Sequence, residues 1–161
     1  MEADMSPEMA SQVLHMLTGG GSMESINTPL ALRLIPLAQE LEDNALVEQL
    51  IDHASKVASN DEERGWARFE ALKVVDASLE SYTRLAEEAE GFEDGQALTA
   101  AVHHYVALLY LADGRLEEAR ATAQRALQLR QMTEDKEGMS YGMALLMNCL
   151  LYTSPSPRDR G

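Results

Sequence analysis

The sequence predicts an all-α protein, a solenoid of antiparallel helical hairpins with a separate N-terminal helix. Three observations carry this. Apolar residues recur at three- and four-residue spacing through most of the chain, which puts them on one stripe of a helix. Short breaks rich in Gly, Asp, Asn and Ser punctuate the periodic stretches. The chain of 161 residues is 45% hydrophobic but only 5% aromatic, so Leu, Ala and Met must build the core.

Ser6-Pro7-Glu8 reads as a helix start, with a serine cap, a proline at the first helical position and an acid in the first turn. Met9, Val13, Met16 and Leu17 form its apolar stripe, and Gly19-Gly20-Gly21 ends it as a flexible linker. Residues 1–27 are therefore assigned to this helix and linker. The helix is either a detached flap or an N-terminal cap of the solenoid. The glycine run is no phosphate loop, because the Gly-Lys-Ser/Thr that must follow is missing.

Residues 28–148 are expected to form the repeat domain. Thr28-Pro29 opens a helix with Leu30, Leu34, Leu37, Ala38 and Leu41 in phase, and Pro36 should kink or split it. After a turn at Asp43-Asn44, Leu46, Val47, Leu50, Ile51, Ala54 and Val57 make the next face. Ser59 to Glu63 is a further capped start, followed by Trp66, Phe69, Leu72, Val75 and Leu79 on one face. Asp76-Ala77-Ser78 is either a break before Tyr82, Leu85, Ala86 and Ala89 or the middle of one long helix, 61–90. Acidic turns with a following glycine recur at 59–66, 90–96 and 133–139, each read as a junction before a new helix.

The clearest hairpin spans 100–133. Leu98, Val102, Val106 and Leu109 share a stripe that stops at Asp113-Gly114. Leu116, Ala119, Ala123, Ala126 and Leu127 share the next, with alanines small enough for close helix approach. The other side, Arg115, Glu117, Glu118, Arg120 and Arg125, is a solvated face. An unrelated two-helix hairpin from a bundle would share these features.

This hairpin resembles a tetratricopeptide repeat through Tyr110, Gly114, Leu116, Ala119 and Ala126, and the phrase LADGRLEEARATAQRALQL is similar to the second half of that motif. Ala107 stands where a small glycine is usual, and His103 where a bulky aromatic is usual. Ala54 and Ala126 lie 72 residues apart, two periods of about 36. Gly95 and Gly138 are 43 apart, similar to the extended repeats in sensor arms of large bacterial transcription regulators and signalling scaffolds. The resemblance implies a right-handed solenoid whose concave face binds a peptide or a helix. It puts His104 and Leu108 on that face, without the basic and amide residues of the carboxylate-gripping members. The resemblance also admits a ligand-sensing regulatory arm of a larger transcriptional or signalling protein.

The last helix carries Met139, Met143, Leu146 and Met147 on one face. That stripe is either an adaptable binding groove or a face that packs on the preceding hairpin and awaits a further helix. Self-association through Met139, Met143 and Met147 is the expected consequence. Residues 149–161 are expected to be non-native. CLLYTSPSPRD, Cys149 to Asp159, resembles the translated read-through of a transposase adapter used in sequencing libraries, with the natural chain cut at about Asn148. A genuine Ser-Pro-rich terminus is the other reading.

Twenty-seven acidic residues against 13 basic give a net charge of −14. That field opposes nucleic acid and anionic membranes and favours basic partners or plain solubility. The first ten residues lack a cationic n-region, and no apolar run spans a bilayer, so a cytoplasmic location is expected. Adjacent His103 and His104 point to different sides of a helix and cannot chelate one metal. His15 and His53 fall in other segments, Cys149 is the only cysteine, and no nucleophile motif is present. The expectation is a protein-interaction scaffold without catalysis, metal or cofactor.

Overall fold

The helices start and stop where side chains and left-handed residues satisfy their ends. In the computed structural model, which describes residues 7–153, these are α1 (Pro7–Thr18), α2 (Thr28–Glu40), α3 (Asn44–Val57), α4 (Asp61–Val74), α5 (Leu79–Glu90), α6 (Gln96–Ala112), α7 (Leu116–Met132) and α8 (Lys136–Thr153). Among the described residues there is no strand, and no helix is long and apolar enough to cross a membrane. The Ser6 cap and the tail from residue 154 onward lie outside the described residues. The chain divides into two compact units, Met1–Val75 and Asp76–Gly161. That boundary falls inside the 28–148 segment expected as one repeat domain.

In the first unit, Gly19 to Gly21 form a helix cap rather than a plain linker. Gly20 is left-handed at φ 95°, its N–H reaches the Leu17 carbonyl, and that of Gly21 reaches the Met16 carbonyl, the paired bonds of a Schellman stop. The buried stripe of α1 is Ala10, Leu14 and Leu17. Met9 and Met16, expected inside, are half exposed at 54% and 49%. The stripe is turned by one residue because Leu14 and Ala10 fill the space beside α2. These three residues share one core with Ala31, Leu34, Ile35, Ala38 and the α3 face, so α1 is packed and not detached.

α2 passes Pro36 without splitting. Proline removes one donor, the partner of the Leu32 carbonyl, but Leu34, Ile35 and Ala38 around it are at most 1% exposed, and that burial outweighs one lost bond. Asn27 caps α2 through Leu30 N–H, and Asp43 caps α3 through Leu46 N–H. The hairpin is bolted at its open end. Thr28 Oγ1 donates to the Ala54 carbonyl at 2.7 Å, and His53 Nε2 donates to the Ile26 carbonyl at 2.7 Å. Ala54 is within the last turn of α3, where carbonyls have no helical partner. α4 then lies against both α2 and α3. Its start is held reciprocally, Asn60 Oδ1 taking Glu63 N–H while Glu63 Oε1 takes the N–H and hydroxyl of Ser59.

The break at Asp76-Ala77-Ser78 separates α4 from α5, so the long 61–90 helix does not form. Val75, expected in the core, is 70% exposed beside left-handed Asp76. The glycine junctions are not equivalent. Gly65 is buried within α4, Gly95 caps α6, and Gly138 sits in the first turn of α8.

The second unit is a run of consecutive packed helices. α5 buries Tyr82, Leu85, Ala86 and Ala89; the Tyr82 and Tyr105 rings meet at 5.1 Å. α6 and α7 form the hairpin expected at 100–133, with Ala107, Ala119, Ala123 and Ala126 all fully buried. Gly114 is left-handed at φ 78°, and Arg115 N–H closes the cap on the Tyr110 carbonyl. α8 lies against both α6 and α7, and its inner face is Gly138, Gly142, Leu145 and Cys149 rather than the methionines. A methyl group added at Gly142 would stand 3.3 Å from Leu127 Cδ1, so the small residue sets the approach. The helix continues through Cys149, which is fully buried with Ala107, Ala119 and Ala123. The change of sequence pattern at 149 thus falls inside α8, whose last described residue is Thr153.

Candidate functional site

Two surfaces follow from this packing, one in each unit. In the first, α2 and α4 run side by side and leave a groove of about 540 Å³ lined by Leu32, Arg33, Glu62, Glu63, Trp66 and Glu70. Glu62, Trp66 and Glu70 are successive i, i+4 positions and form one row on α4. Trp66 Nε1 donates to Glu62 Oε2 at 2.9 Å, which fixes the indole. Glu70 pairs with Lys73 at 3.0 Å, and that ammonium sits 4.4 Å over the Phe69 ring.

In the second unit, His104 and Leu108 lie one turn apart on α6, so they share a side of the helix. Leu108 is 42% exposed. His104 is half-buried and already engaged, since Nη1 of Arg130 donates to its Nδ1 at 2.9 Å and to the Gly138 carbonyl at 3.1 Å. One guanidinium thus joins α6, α7 and α8. An accepting Nδ1 requires the neutral imidazole with its proton on Nε2. Burial first and Arg130 second hold the His104 pKa below the ordinary imidazole value. Burial likewise lowers Arg130, with Asp135 opposing.

His103, the neighbouring residue, feels the charges of Arg125 on α7 and Glu90 on α5, which pair with each other at 3.6 Å. Its Nε2 is buried without a hydrogen-bond partner. Burial, then Arg125, lower its pKa, with Glu90 opposing. Among the described residues no three His, Cys, Asp or Glu side chains gather as a metal site.

The residues on which the repeat resemblance rests have packing roles. Ala119 and Ala126 are fully buried, Leu116 and Tyr110 are half-buried, and Gly114 makes the turn. Arg115 stacks 4.7 Å over the Tyr110 ring. On α8, Met143 and Met147 are each 58% exposed while Met139 is half-buried. They share an uncharged outer face with Leu150 and Leu151, and Tyr141 is exposed on the other flank of the helix.

The two units correspond residue by residue along the sequence. A shift of 72 residues aligns left-handed Glu42 with left-handed Gly114. It also aligns buried Leu34, Ile35, Val47, Ile51 and Ala54 with buried Val106, Ala107, Ala119, Ala123 and Ala126. The same shift places Leu32, on the groove, opposite His104, and Pro36 opposite Leu108. Left-handed Asp76 falls 34 residues after Glu42 and 38 before Gly114, so α2, α4 and α6 all end on such a residue at a repeat-like period. Sequence reading missed this signal because two of the three residues are acids and not glycine.

No family model matches the chain, and neither curated proteins nor solved structures give a match.

Proposed function

We propose that the chain is a tetratricopeptide-like solenoid scaffold that binds protein on the first helices of its hairpins, α2 and α4 in the first unit and α6 in the second. The observation that carries this is the spacing of the left-handed stops at Glu42, Asp76 and Gly114, which recur after 34 and 38 residues at the ends of those three helices; α7 also ends on a left-handed residue, Glu134, so the period and not the cap alone is the support. A supporting one is that α4 lies on both helices of its preceding hairpin, and α8 does the same on its own, the packing by which repeats propagate. The occupant is a peptide or a helix. Leu32 contacts it in the first unit, and His104 and Leu108 in the second. The proposal extends to self-association through the exposed α8 face, which has no charged residue from Gly138 to Thr153.

The test is a peptide-display selection against the full chain. Affinities of the selected peptides are then compared between wild type and His104→Ala/Leu108→Ala, with folding of the variant checked by circular dichroism. Weakening of about tenfold is expected, 1.4 kcal/mol of lost contact. Unchanged affinity rejects the face.

A further inference from the structure

We propose that the α2/α4 groove takes the side chain of a basic peptide, an Arg or Lys laid across Trp66 between Glu62 and Glu70. This rests on the first-helix binding reading and adds the chemistry of the partner. The argument has three parts. The first is the row itself. Trp66 is flanked one helical turn on each side by a carboxylate, and an indole face attracts cations through its quadrupole. Its ring is held by the bond to Glu62, so little ordering cost remains for binding.

The second is the sign of the lining. Among the described residues that line the groove, Glu62, Glu63 and Glu70 stand against Arg33. The whole chain adds a net charge of −14, which draws cationic segments in and repels acidic ones. The third is a precedent on the same helix. Lys73 is held by the same kind of pair, the Phe69 ring at 4.4 Å and a Glu70 oxygen at 3.0 Å, and an incoming cation would share Glu70 with it. Apolar Leu32 across the groove supplies a surface for the methylene stem of the incoming side chain.

Trp66 is the only tryptophan, so its emission reads this groove alone. The experiment titrates the full chain with amidated hexa-arginine, with a neutral Gly-Ser hexamer, and with hexa-glutamate. It uses wild type, Glu62→Gln/Glu70→Gln, and the charge-matched control Glu48→Gln/Glu87→Gln on exposed positions. The expected result is a saturable emission change with hexa-arginine only. It weakens at least tenfold in the groove variant and by no more than twofold in the control. Equal weakening in both variants would show a diffuse field and overturn the site. Binding of the neutral or acidic peptide at Trp66 in place of the basic one would overturn the cationic partner while leaving the first-helix binding surface standing. No response to hexa-arginine, when a display-selected peptide does perturb Trp66, has that same meaning. No response to any peptide, selected or basic, overturns both readings.

Discussion

Arg130 Nη1 stands 2.9 Å from His104 Nδ1 and 3.1 Å from the Gly138 carbonyl, so one side chain of α7 ties the hairpin to the helix that follows. Removing the guanidinium leaves two half-buried acceptors without this donor. Arg130→Ala should therefore cost about 2 kcal/mol, a typical value for bonds to a charged group. Urea unfolding of the variant against wild type checks it. Gly138→Ala should also destabilise, because the added carbon would overlap the Asp135 carboxylate that caps α8 and lie 2.8 Å from Arg130 Cδ.

The same contact makes stability depend on pH. His104 and His103 both have folded-state pKa values below 6.5, the value in the unfolded chain. The unfolded state then binds more protons below that point, and stability rises with pH. The contribution is complete above 6.5 and is lost as pH falls from 6.5 toward the folded values. Urea midpoints measured between pH 7.5 and 5.0 should fall, and the fall should shrink in His103→Phe/His104→Gln. An unchanged pH slope in that variant would contradict the assignment.

Glu42, Asp76 and Glu134 hold left-handed backbone at φ 56°, 51° and 57°. A side chain in that region costs about 1–2 kcal/mol, and glycine avoids it while losing about 0.5–1 kcal/mol through the freer unfolded chain. The first term is larger. Each Glu→Gly or Asp→Gly change should stabilise by about 0.5–1 kcal/mol, and Gly114→Ala should destabilise by a similar amount. Thermal unfolding of the four variants gives the signs.

Thr28 tests the bolt of the first hairpin. Thr28→Val keeps the shape and removes the hydroxyl that serves the Ala54 carbonyl, both residues being fully buried. A loss of about 1–2 kcal/mol is expected from the orphaned carbonyl. A neutral result would mean that water reaches the end of α3.

Exposed Met143 and Met147 predict concentration-dependent dimers in sedimentation velocity, reversed by Met143→Glu/Met147→Glu. A monomer at every concentration would remove α8 as a contact face.

Helices were legible where burial follows period. Leu98, Val102 and Val106, or Ala119, Ala123 and Ala126, need no tertiary information. The stripe of α1 was misjudged because Met9 and Met16 are apolar yet tolerate solvent, while small Ala10 fits where they do not. Methionines misled again on α8, where Gly138 and Gly142 let the backbone approach α7. The His104–Arg130 bond joins residues 26 apart, and no local pattern encodes it. The acidic left-handed stops were hidden because side-chain identity marks them only when glycine is present, as at Gly114. The α2/α4 groove depends on which face of α4 meets α2, and Trp66 read as core because aromatics usually are.

The central claim is that the first helices, α2 and α4 in one unit and α6 in the other, carry the protein-binding surfaces. Hydrogen exchange of the full chain, with and without a display-selected peptide, tests it most directly. The account predicts added protection on α2, α4 and α6, centred near Leu32, Trp66 and His104, with α3 and α7 unchanged. Protection confined to α3 and α7, or to α8 alone, would contradict it.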